Sequence, residues 1–347
     1  MPLQVERHPE APAGWDTFTR DRGLFYHSSR WVAGLGACFG YPVHWLTVRD
    51  GGDLAGILPL AEVPGLVTRL RLVSFPFSYA CGPVATDRDA GLALFEAARM
   101  LGAERRASRV EIKQLGPPDD PAPAFERASR YATYRIPPEL TEGAIWDRLN
   151  ADSTRRGIRK AEKAGVKVAR GASREEWAAF ADLEDVTARE HGLPAPPRTF
   201  FVDFCSRLQV EGYADLYLAR VADGRIAAGM VVWKGLREWI YAFNASEPTL
   251  LADRPNHALL WRAIRDAAAA GAIFDLGRAA PEQAGLVEFK QRWGGQPVPL
   301  AYDYWPAARG LNVARRDAGS LAAAARLWRL LPLPVTRLGS RLYRYLG

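Results

Sequence analysis

Hydrophobic and polar positions along this chain follow two periods. A period of two predicts strands, and a period near 3.6 predicts helices. In the first half the pattern predicts helices over 28–39 and 89–101 and strands over 44–49, 54–60, 70–75 and 109–115. In the second half it predicts helices over 175–191, 197–211, 255–270 and 286–293 and strands over 214–221, 225–233, 238–243, 273–276 and 298–305. The two halves therefore repeat one order of elements.

Each half also contains a similar hairpin sequence, over 50–58 and over 223–231. Both start with an Asp-Gly turn signal and continue through an apolar residue to small residues that end on Gly56 or Gly229. Together with the repeated element order, this predicts an α/β (α+β) fold of two tandem, similar domains. The predicted domains are 1–137 and 138–306, with a tail over 307–347.

Residues 152–168 predict a basic helix that ends on glycine and runs into a strand. At about 100° per residue, Ile158, Ala161 and Gly165 face one way and the basic residues lie on the opposite arc. That arc consists of Arg155, Arg156, Arg159, Lys160 and Lys163. Ser153 or Asp152 is expected to cap the start, and Gly165 fits the left-handed residue after the last turn. Because few acids interleave with the arc, it is either a solvated helix face or a surface that binds phosphate.

The net charge of +7 comes from the tail. Residues 307–347 hold one acid, Asp317, and eight arginines, at 309, 315, 316, 326, 329, 337, 341 and 344. Leucines, Trp328 and Tyr343 alternate with these arginines at helical spacing, which is typical of an amphipathic element. The tail is expected either to pack on the protein or to contact an anionic membrane. The body is neutral and has no helix-turn-helix pattern, which argues against DNA as a partner.

Cysteine usage and hydropathy predict a cytoplasmic protein. Cys38, Cys81 and Cys205 are far apart, as expected for buried thiols in a reducing compartment. No Cys-x-x-Cys or His-x-x-x-His spacing indicates a metal site. No apolar segment has the length of a signal peptide core or a membrane span. A peripheral position on the inner face of the plasma membrane, held by the tail, is compatible with this pattern.

Several polar residues of the second half are candidates for chemistry. Asp275 and Arg278 end a predicted strand, where they either face a cleft or form an ion pair with each other. Lys290 lies between aromatic residues and either binds a carboxylate, phosphate or carbonyl oxygen or extends to solvent. Tyr241 is predicted to share one strand face with Trp239 and Phe243, either as core or as a proton donor.

The second half also contains two histidines that are candidate bases. Unperturbed histidine titrates near neutral pH, so His191 and His257 either accept a proton or have structural roles. The sequence does not identify the general base.

The order of these motifs resembles that of the Fem family of peptidoglycan aminoacyltransferases and its broader relatives, which consist of two domains of the GNAT acyltransferase fold. The resemblance rests on 153–166, on Phe200-Phe201 with 214–218, on 274–278 and on 289–294, and it covers most of residues 15–306. It implies two tandem GNAT-like domains. It also implies transfer of an aminoacyl group from charged tRNA, or of another acyl group, to an amine of a cell-envelope or exopolysaccharide precursor at the inner membrane surface.

For individual residues, the resemblance implies that the helix from Arg155 to Lys163 binds acceptor diphosphate or donor phosphate. It implies that Lys290 binds substrate or stabilises an oxyanion, and Arg278, Asp275 and Tyr241 are the further catalytic candidates. No permanent cofactor is expected, because the activated donor, aminoacyl-tRNA or acyl-CoA, is a cosubstrate. The expected partners are a phosphorylated or lipid-linked precursor, tRNA, and an anionic membrane surface reached through the tail.

The sequence departs from this pattern in two places. It lacks the long helical hairpin that some Fem enzymes insert in the second domain, which is thought to engage tRNA. The stretch 252–259 has no glycine pair, and Pro255 removes one backbone donor, which predicts that this domain has no usual CoA-phosphate loop. Two alternatives therefore stay open, an acyl-CoA-dependent N-acyltransferase and a non-catalytic module of an export system that binds anionic lipid or glycan.

Overall fold

The first unit of the structure is built on a sheet of six successive strands, with one further short strand paired at its side. The computed structural model describes residues 3–65, 69–116, 120–306 and 325–346. The first unit comprises the described parts of Met1–Tyr131, Pro299–Ala322 and Arg344–Gly347. Its strands are β1 (Gln4–His8), β2 (Val43–Asp50), β3 (Asp53–Val63), β4 (Arg71–Val73), β5 (Val84–Ala85), β6 (Arg109–Leu115) and most of β13 (Gln296–Trp305). Its helices are α1 (Trp15–Arg22), α2 (Ser29–Phe39) and α3 (Arg88–Glu104).

The second unit, Ala132–Val298 with the described part of Ala323–Tyr343, also has a sheet of six successive strands. Its strands are the last part of β7 (Glu126–Ile136), then β8 (Lys167–Gly171), β9 (Ala214–Arg220), β10 (Ile226–Lys234), β11 (Glu238–Ser246) and β12 (Ile273–Ala279). Its helices are α4 (Glu142–Arg148), α5 (Arg156–Lys163), α6 (Arg174–His191), α7 (Ser206–Val210), α8 (Pro255–Ala269), α9 (Ala284–Arg292) and α10 (Leu333–Leu338). Wide helical turns of π type precede α5, over Ala151–Arg155, and α7, over Phe200–Cys205.

The two sheets have the same topology, which confirms the predicted α/β repeat. The strand orders are β1-β2-β3-β4-β6-β13 and β8-β9-β10-β11-β12-β7. In both orders every pair is antiparallel except the fourth and fifth strands, β4 with β6 and β11 with β12, which are parallel.

The last strand of each sheet comes from outside its own repeat. The chain of the second repeat ends with β13, whose residues Leu300–Trp305 pair with β6 of the first unit. The chain that follows the first repeat forms β7, whose residues from Ala132 onward pair with β12 of the second unit. The compact units therefore divide within β7 and near Pro299, whereas the sequence placed the domain boundaries at residues 137 and 306.

A helix covers a face of each sheet and forms the core. In the first unit, Leu94 and Ala98 of α3 are buried against Leu46, Leu58 and Val110 of the sheet. In the second unit, α8 contributes its apolar stripe, Leu259, Leu260, Ala263, Ile264 and Ala267, to a cluster with strand residues such as Val232 and Phe274. Helix α6 also packs on β11 and β10.

The described part of the predicted tail is helical. Residues 325–330 are helical, α10 follows, and a 3-10 segment covers Gly339–Tyr345. The sequence prediction for residues 307–324, which include Arg309, Arg315 and Arg316, lies outside the described residues. Cys81 and Cys205 are buried, and Cys38 is partly buried. None of the helices in the described ranges combines the length and apolar character needed to cross a bilayer.

Candidate functional site

The sheet of the second unit opens between its two parallel strands. β11 and β12 pair only from Glu238 to Ile240, opposite Ile273 to Asp275. Beyond this point β11 continues beside β10 alone, and β12 continues beside β7 alone, within the described part of this unit. Diverging parallel strands leave a cleft at their carboxyl ends, and the backbone of β11 forms an open edge along it.

The matching opening in the first unit is filled by the chain itself. Where β4 ends, the amides of Ser74 and Cys81 donate to the carbonyls of Glu111 and Lys113 on β6, at 2.8 and 2.9 Å. The buried Lys113 ammonium donates to the carbonyl of Ser78 at 3.1 Å. This loop therefore occupies the first opening, whereas no such loop hydrogen bonds are described between β11 and β12 beyond Ile240.

Asp275 anchors β12 where the cleft begins. Its buried carboxylate accepts from Arg135 Nε at 2.7 Å, from the Gly277 amide at 2.8 Å and from the Thr133 hydroxyl. Arg135 also donates to the buried Glu238 at 2.7 Å. Asp275 was predicted either to face a cleft as a catalytic candidate or to pair with Arg278, and in the structure Arg135 is its ionic partner. Arg278 is exposed on β12.

Lys290 lies inside the cleft wall, as the sequence allowed. It is only 3 % exposed, and its ammonium donates to the carbonyl of Leu276. This carbonyl is turned toward α9 by a bulge between Asp275 and Arg278, where Gly277 has φ +78°. A Cβ at Gly277 would lie 3.6 Å from Lys290 Nζ and 3.7 Å from the Tyr241 carbonyl oxygen, so Gly277 separates the two strands at this point. Burial lowers the pKa of Lys290 to about 8, partly offset by the charge of Asp275.

Tyr241 lies on the other wall of the cleft, and one prediction about it is wrong. The pairing of Val231 with Phe243 and of Val232 with Tyr241 leaves Ala242 as an extra residue on β11. A bulge shifts the alternation by one position. Tyr241 consequently packs with Trp239 against the α8 core, whereas Phe243 contacts a different aromatic group, the rings of Phe200, Phe201 and Trp233.

Glu184 on α6, whose charge acts on the Tyr241 phenol, is a candidate residue that sequence reasoning missed. Its neighbours on the helix stripe, Trp177, Phe180, Ala181 and Ala188, are buried, so a carboxyl occupies a position typical of an apolar residue. Burial raises the pKa of Glu184 to about 8, with a further contribution from Asp185. Burial, followed by the nearby charge of Glu184, raises the pKa of the Tyr241 phenol. The sequence could have indicated this residue, because position 184 lies on the same helix face as the apolar residues Trp177, Phe180, Ala181 and Ala188.

The structure distinguishes the two histidines. His191 is exposed at the end of α6, where its carbonyl accepts from Arg329. His257 is half-buried at the start of α8, and burial with the charge of Arg254 lowers its pKa. A Cβ on Gly157 would come within 2.2 Å of the His257 ring, so this ring requires a glycine on α5.

The basic helix forms as predicted, except for its cap. The Asn150 side chain accepts from the Ser153 amide at 3.0 Å, so Asn150 caps the start rather than Ser153 or Asp152. Gly165 has φ +76° and ends the helix. Ile158 and Ala161 are buried, as expected.

The cations of this helix lack ionic partners. Arg156, Arg159, Lys160 and Lys163 are exposed, and Arg159 lies 5.6 Å from the centre of the Trp146 ring. Among the described residues, no carboxylate forms an ion pair with any of the five predicted phosphate-binding side chains. Other cations of this unit do have carboxylate partners, such as Arg135, Arg170, Arg220, Lys234 and Arg265. The Nε of half-buried Arg155 is shielded from solvent and has no hydrogen-bond partner. Such a group is satisfied when an anion binds.

Two contacts bring the basic helix to the cleft elements. The Asn150 amide and the Thr154 hydroxyl donate to the Arg292 carbonyl at 2.9 and 3.2 Å, two residues after Lys290. Gly157 packs on His257 at the start of α8. The start of α8 offers few free amides itself, because Pro255 has no N–H and the His257 amide donates to Arg254.

A second concave region lies in the first unit. It is a cleft of about 450 Å³ lined in part by Arg22, His27, Gly82 and Gln114. The Leu24 amide donates to His27 Nδ1 and His27 Nε2 donates to the Gly82 carbonyl, which fixes the ring as a neutral tautomer. Burial lowers the pKa of His27 to about 4. His27 therefore supports the loop and is not available as a base at neutral pH.

A segment of the second unit matches a known protein family. Residues 150–291 match the family described as "Acetyltransferase (GNAT) domain". Comparison with curated proteins gives no significant match. The fold is similar to that of FemX, at 17% identity and a TM-score of 0.65, over 86% of this chain and 96% of that chain.

Two further solved structures share the fold. One is L-PGS from Bacillus licheniformis, at 13% identity and a TM-score of 0.57 over 92% of this chain and 97% of that one. The other is a tandem GNAT protein from the clavulanic acid biosynthesis pathway, at 16% identity and a TM-score of 0.55 over 87% and 98%. GNAT domains use acyl-CoA as cosubstrate. The protein is thus an acyltransferase with the tandem GNAT-like fold, and its second unit holds the matched acetyltransferase domain.

Proposed function

We propose that this protein transfers an activated acyl or aminoacyl group to the amine of a phosphate-bearing precursor of the cell envelope or of an exopolysaccharide. The observation that carries this proposal is the unpaired basic helix beside the cleft. Five cations without carboxylate partners, one of them with a shielded and unsatisfied Nε, fit a ligand with several phosphate oxygens. The cell-envelope assignment is supported by the shared fold with FemX and L-PGS.

The cleft contains groups for each step of acyl transfer. The acceptor ammonium loses a proton to the Glu184 carboxylate, and the free amine attacks the acyl carbon. Negative charge develops on the carbonyl oxygen, where the Lys290 ammonium stabilises it. The bond from the acyl carbon to the donor sulfur or oxygen then breaks as the amide is completed. The leaving group takes up a proton from the Tyr241 phenol, which its raised pKa keeps protonated. The phenolate then takes the second proton of the attacking nitrogen, so that Tyr241 is regenerated as the amide forms.

The open edge of β11 suits an extended donor. Beyond Ile240, β11 has no strand partner on its β12 side within the described part of this unit. A ligand with amide groups, such as the pantetheine arm of an acyl-CoA, can hydrogen-bond to such an edge as an added strand does. This edge favours a second candidate, an acyl-CoA-dependent N-acyltransferase, which is also supported by the domain match.

Substitution in the basic helix tests which reactant brings the phosphate. We expect Arg156→Gln with Arg159→Gln to raise KM for a phosphate-bearing reactant about tenfold or more, because each charged hydrogen bond contributes roughly 1.5–3 kcal/mol. The measurement compares acetyl-CoA with S-acetylpantetheine as donors, and glucosamine 1-phosphate with glucosamine as acceptors. Alanyl-tRNA serves as the aminoacyl donor.

The pattern of KM changes separates the candidates. A rise confined to glucosamine 1-phosphate supports the phosphorylated acceptor, and a rise confined to acetyl-CoA supports donor phosphate binding by the same helix. The matched control is Arg207→Gln, an exposed arginine on α7, which should leave every KM unchanged. Equal KM values for the double variant and the control would rule out phosphate binding by this helix.

Lys290 gives a second test of the proposed chemistry. Lys290→Met keeps the length and volume of the side chain but removes the ammonium, so we expect kcat to fall about 10²- to 10³-fold. Circular dichroism should show an unchanged fold. Glu288→Gln, an exposed change on the same helix, is the control. Activity within a few-fold of the wild type in Lys290→Met would show that the oxyanion is stabilised elsewhere.

A further inference from the structure

Residues 325–343 of the second unit expose large apolar side chains to solvent. Leu327 is 65 % exposed, Leu330 81 % and Leu338 79 %. Apolar residues of a surface helix ordinarily face the protein core. Here they face outward, so this segment has its amphipathic orientation reversed.

Polar and small residues hold the segment on the unit instead. Arg337 forms ion pairs with Asp182 at 2.9 Å and with Asp185 at 2.6 Å, both on α6. Thr336 is 5 % exposed and lies on the inner side of α10. Gly192, which follows α6, packs closely on Ala325, because a Cβ at Gly192 would lie 2.6 Å from the Ala325 carbonyl oxygen. The outward leucines are therefore presented by a segment that is fixed through its other face.

The charges beside these leucines have one sign. Arg326 and Arg341 are exposed, and no carboxylate forms an ion pair with either of them among the described residues. The sequence from 325 to 346 contains no acid and no lysine. A surface of exposed leucines and unpaired arginines is complementary to an apolar layer covered by negative charges, which is the interface of an anionic lipid bilayer.

We propose that residues 325–343 dock the second unit on an anionic membrane surface. Leu327, Leu330 and Leu338 enter the boundary between headgroups and acyl chains, while Arg326 and Arg341 contact lipid phosphates. The inverted orientation distinguishes this element from a helix that merely packs on the protein. Docking of this kind holds the acyl-transfer cleft at the surface where a lipid-linked acceptor is found, but it does not depend on that chemistry.

Vesicle sedimentation of the full chain tests the proposal. We expect binding to vesicles of phosphatidylcholine with phosphatidylglycerol, and little binding to phosphatidylcholine alone. Arg326→Gln with Arg341→Gln should weaken binding roughly 25-fold, since each arginine near an anionic surface contributes about fivefold. Leu330→Ser with Leu338→Ser should weaken it roughly tenfold or more through lost apolar burial.

Matched controls use residues of the same types on other surfaces. Leu236→Ser, at a leucine that is 73 % exposed, and Arg207→Gln should bind like the wild type. Equal binding of all variants, or equal binding to neutral vesicles, would overturn the proposal. A dimer in light scattering that is lost in Leu330→Ser with Leu338→Ser would also overturn it, because a second copy would then cover the leucines. Acyl transfer to soluble substrates should be unchanged in these variants, which separates this test from that of the proposed function.

Discussion

Glu184→Gln is expected to lower kcat about 10²- to 10⁴-fold, the range of a lost general base. The glutamine keeps the shape of the side chain on α6 but cannot accept a proton. The carboxyl is suited to this role because burial brings its pKa to about 8, close to that of many amines. A carboxylate with an ordinary pKa would take a proton from an ammonium group far less readily.

The pH profile gives a sharper readout of the same change. Transfer requires an ionised Glu184 and a protonated Lys290, and the pKa values of both are about 8. We expect a bell-shaped kcat profile with its maximum near pH 8, whose acidic limb reports Glu184 and whose alkaline limb reports Lys290. Glu184→Gln should lose the acidic limb and keep the alkaline one.

Stability should change in the opposite direction to activity. The pKa of Glu184 is raised in the folded protein. The protonated carboxyl therefore contributes fully to stability below its ordinary pKa of 4.5, and this contribution is lost as pH rises through about 8. Glutamine carries no charge at any pH, so Glu184→Gln avoids this loss. Above pH 8 the free energy of unfolding in urea should therefore be about 1–3 kcal/mol higher for the variant than for the wild type. The gain should shrink as pH falls toward 4.5.

A control on the same helix separates catalysis from general charge effects. Glu190 is exposed on α6, and Glu190→Gln should leave kcat, its pH profile and the urea midpoint unchanged. If Glu184→Gln retains the acidic limb of the profile, the proton acceptor is another group. If the variant is not stabilised above pH 8, the carboxyl is not buried as the structure describes.

Much of the fold follows from hydrophobic periodicity, and β7 shows where this fails. Most predicted elements form within a few residues of their expected ends, because one face of each meets the core. β7 was missed, since Arg127, Thr133 and Arg135 interrupt its alternation. Arg127 pairs with the buried Asp303 and Arg135 with the buried Asp275. A strand whose inward positions carry ion pairs looks like a loop in sequence.

Local backbone irregularities limited prediction of the site in the same way. The spacing of basic residues predicted the α5 arc, whereas for Lys290 the sequence left open whether it binds an oxygen or extends to solvent. Because Ala242 is an extra residue on β11, Phe243 lies on the opposite face of the strand from the predicted one. Nothing in the amino-acid sequence marks this bulge. Glu184 was overlooked because the surrounding Asp182 and Asp185 make this part of α6 look like a solvated acidic face.

Asp275→Asn is expected to lower the stability of the protein substantially. The carboxylate is fully buried and accepts from Arg135, Thr133 and the Gly277 amide. Arg135 keeps its ion pair with Glu238 but loses the charged acceptor at its Nε, so we expect the free energy of unfolding in urea to fall by about 3 kcal/mol, the lower end of the cost of a broken buried ion pair. Asp223→Asn, which breaks an exposed pair with Arg225, should leave the midpoint unchanged.

A double-mutant cycle connects this loss to the ion pair itself. Asp275→Asn combined with Arg135→Gln should cost less than the sum of the two single changes, since both single changes remove the same ion pair and it can be lost only once. Additive losses would show that the two side chains do not interact. Activity provides an independent readout in the folded fraction of Asp275→Asn. The Asp275 charge raises the pKa of Lys290 against the larger effect of burial. Without that charge the pKa of Lys290 falls, so the alkaline limb of the kcat profile should move to lower pH.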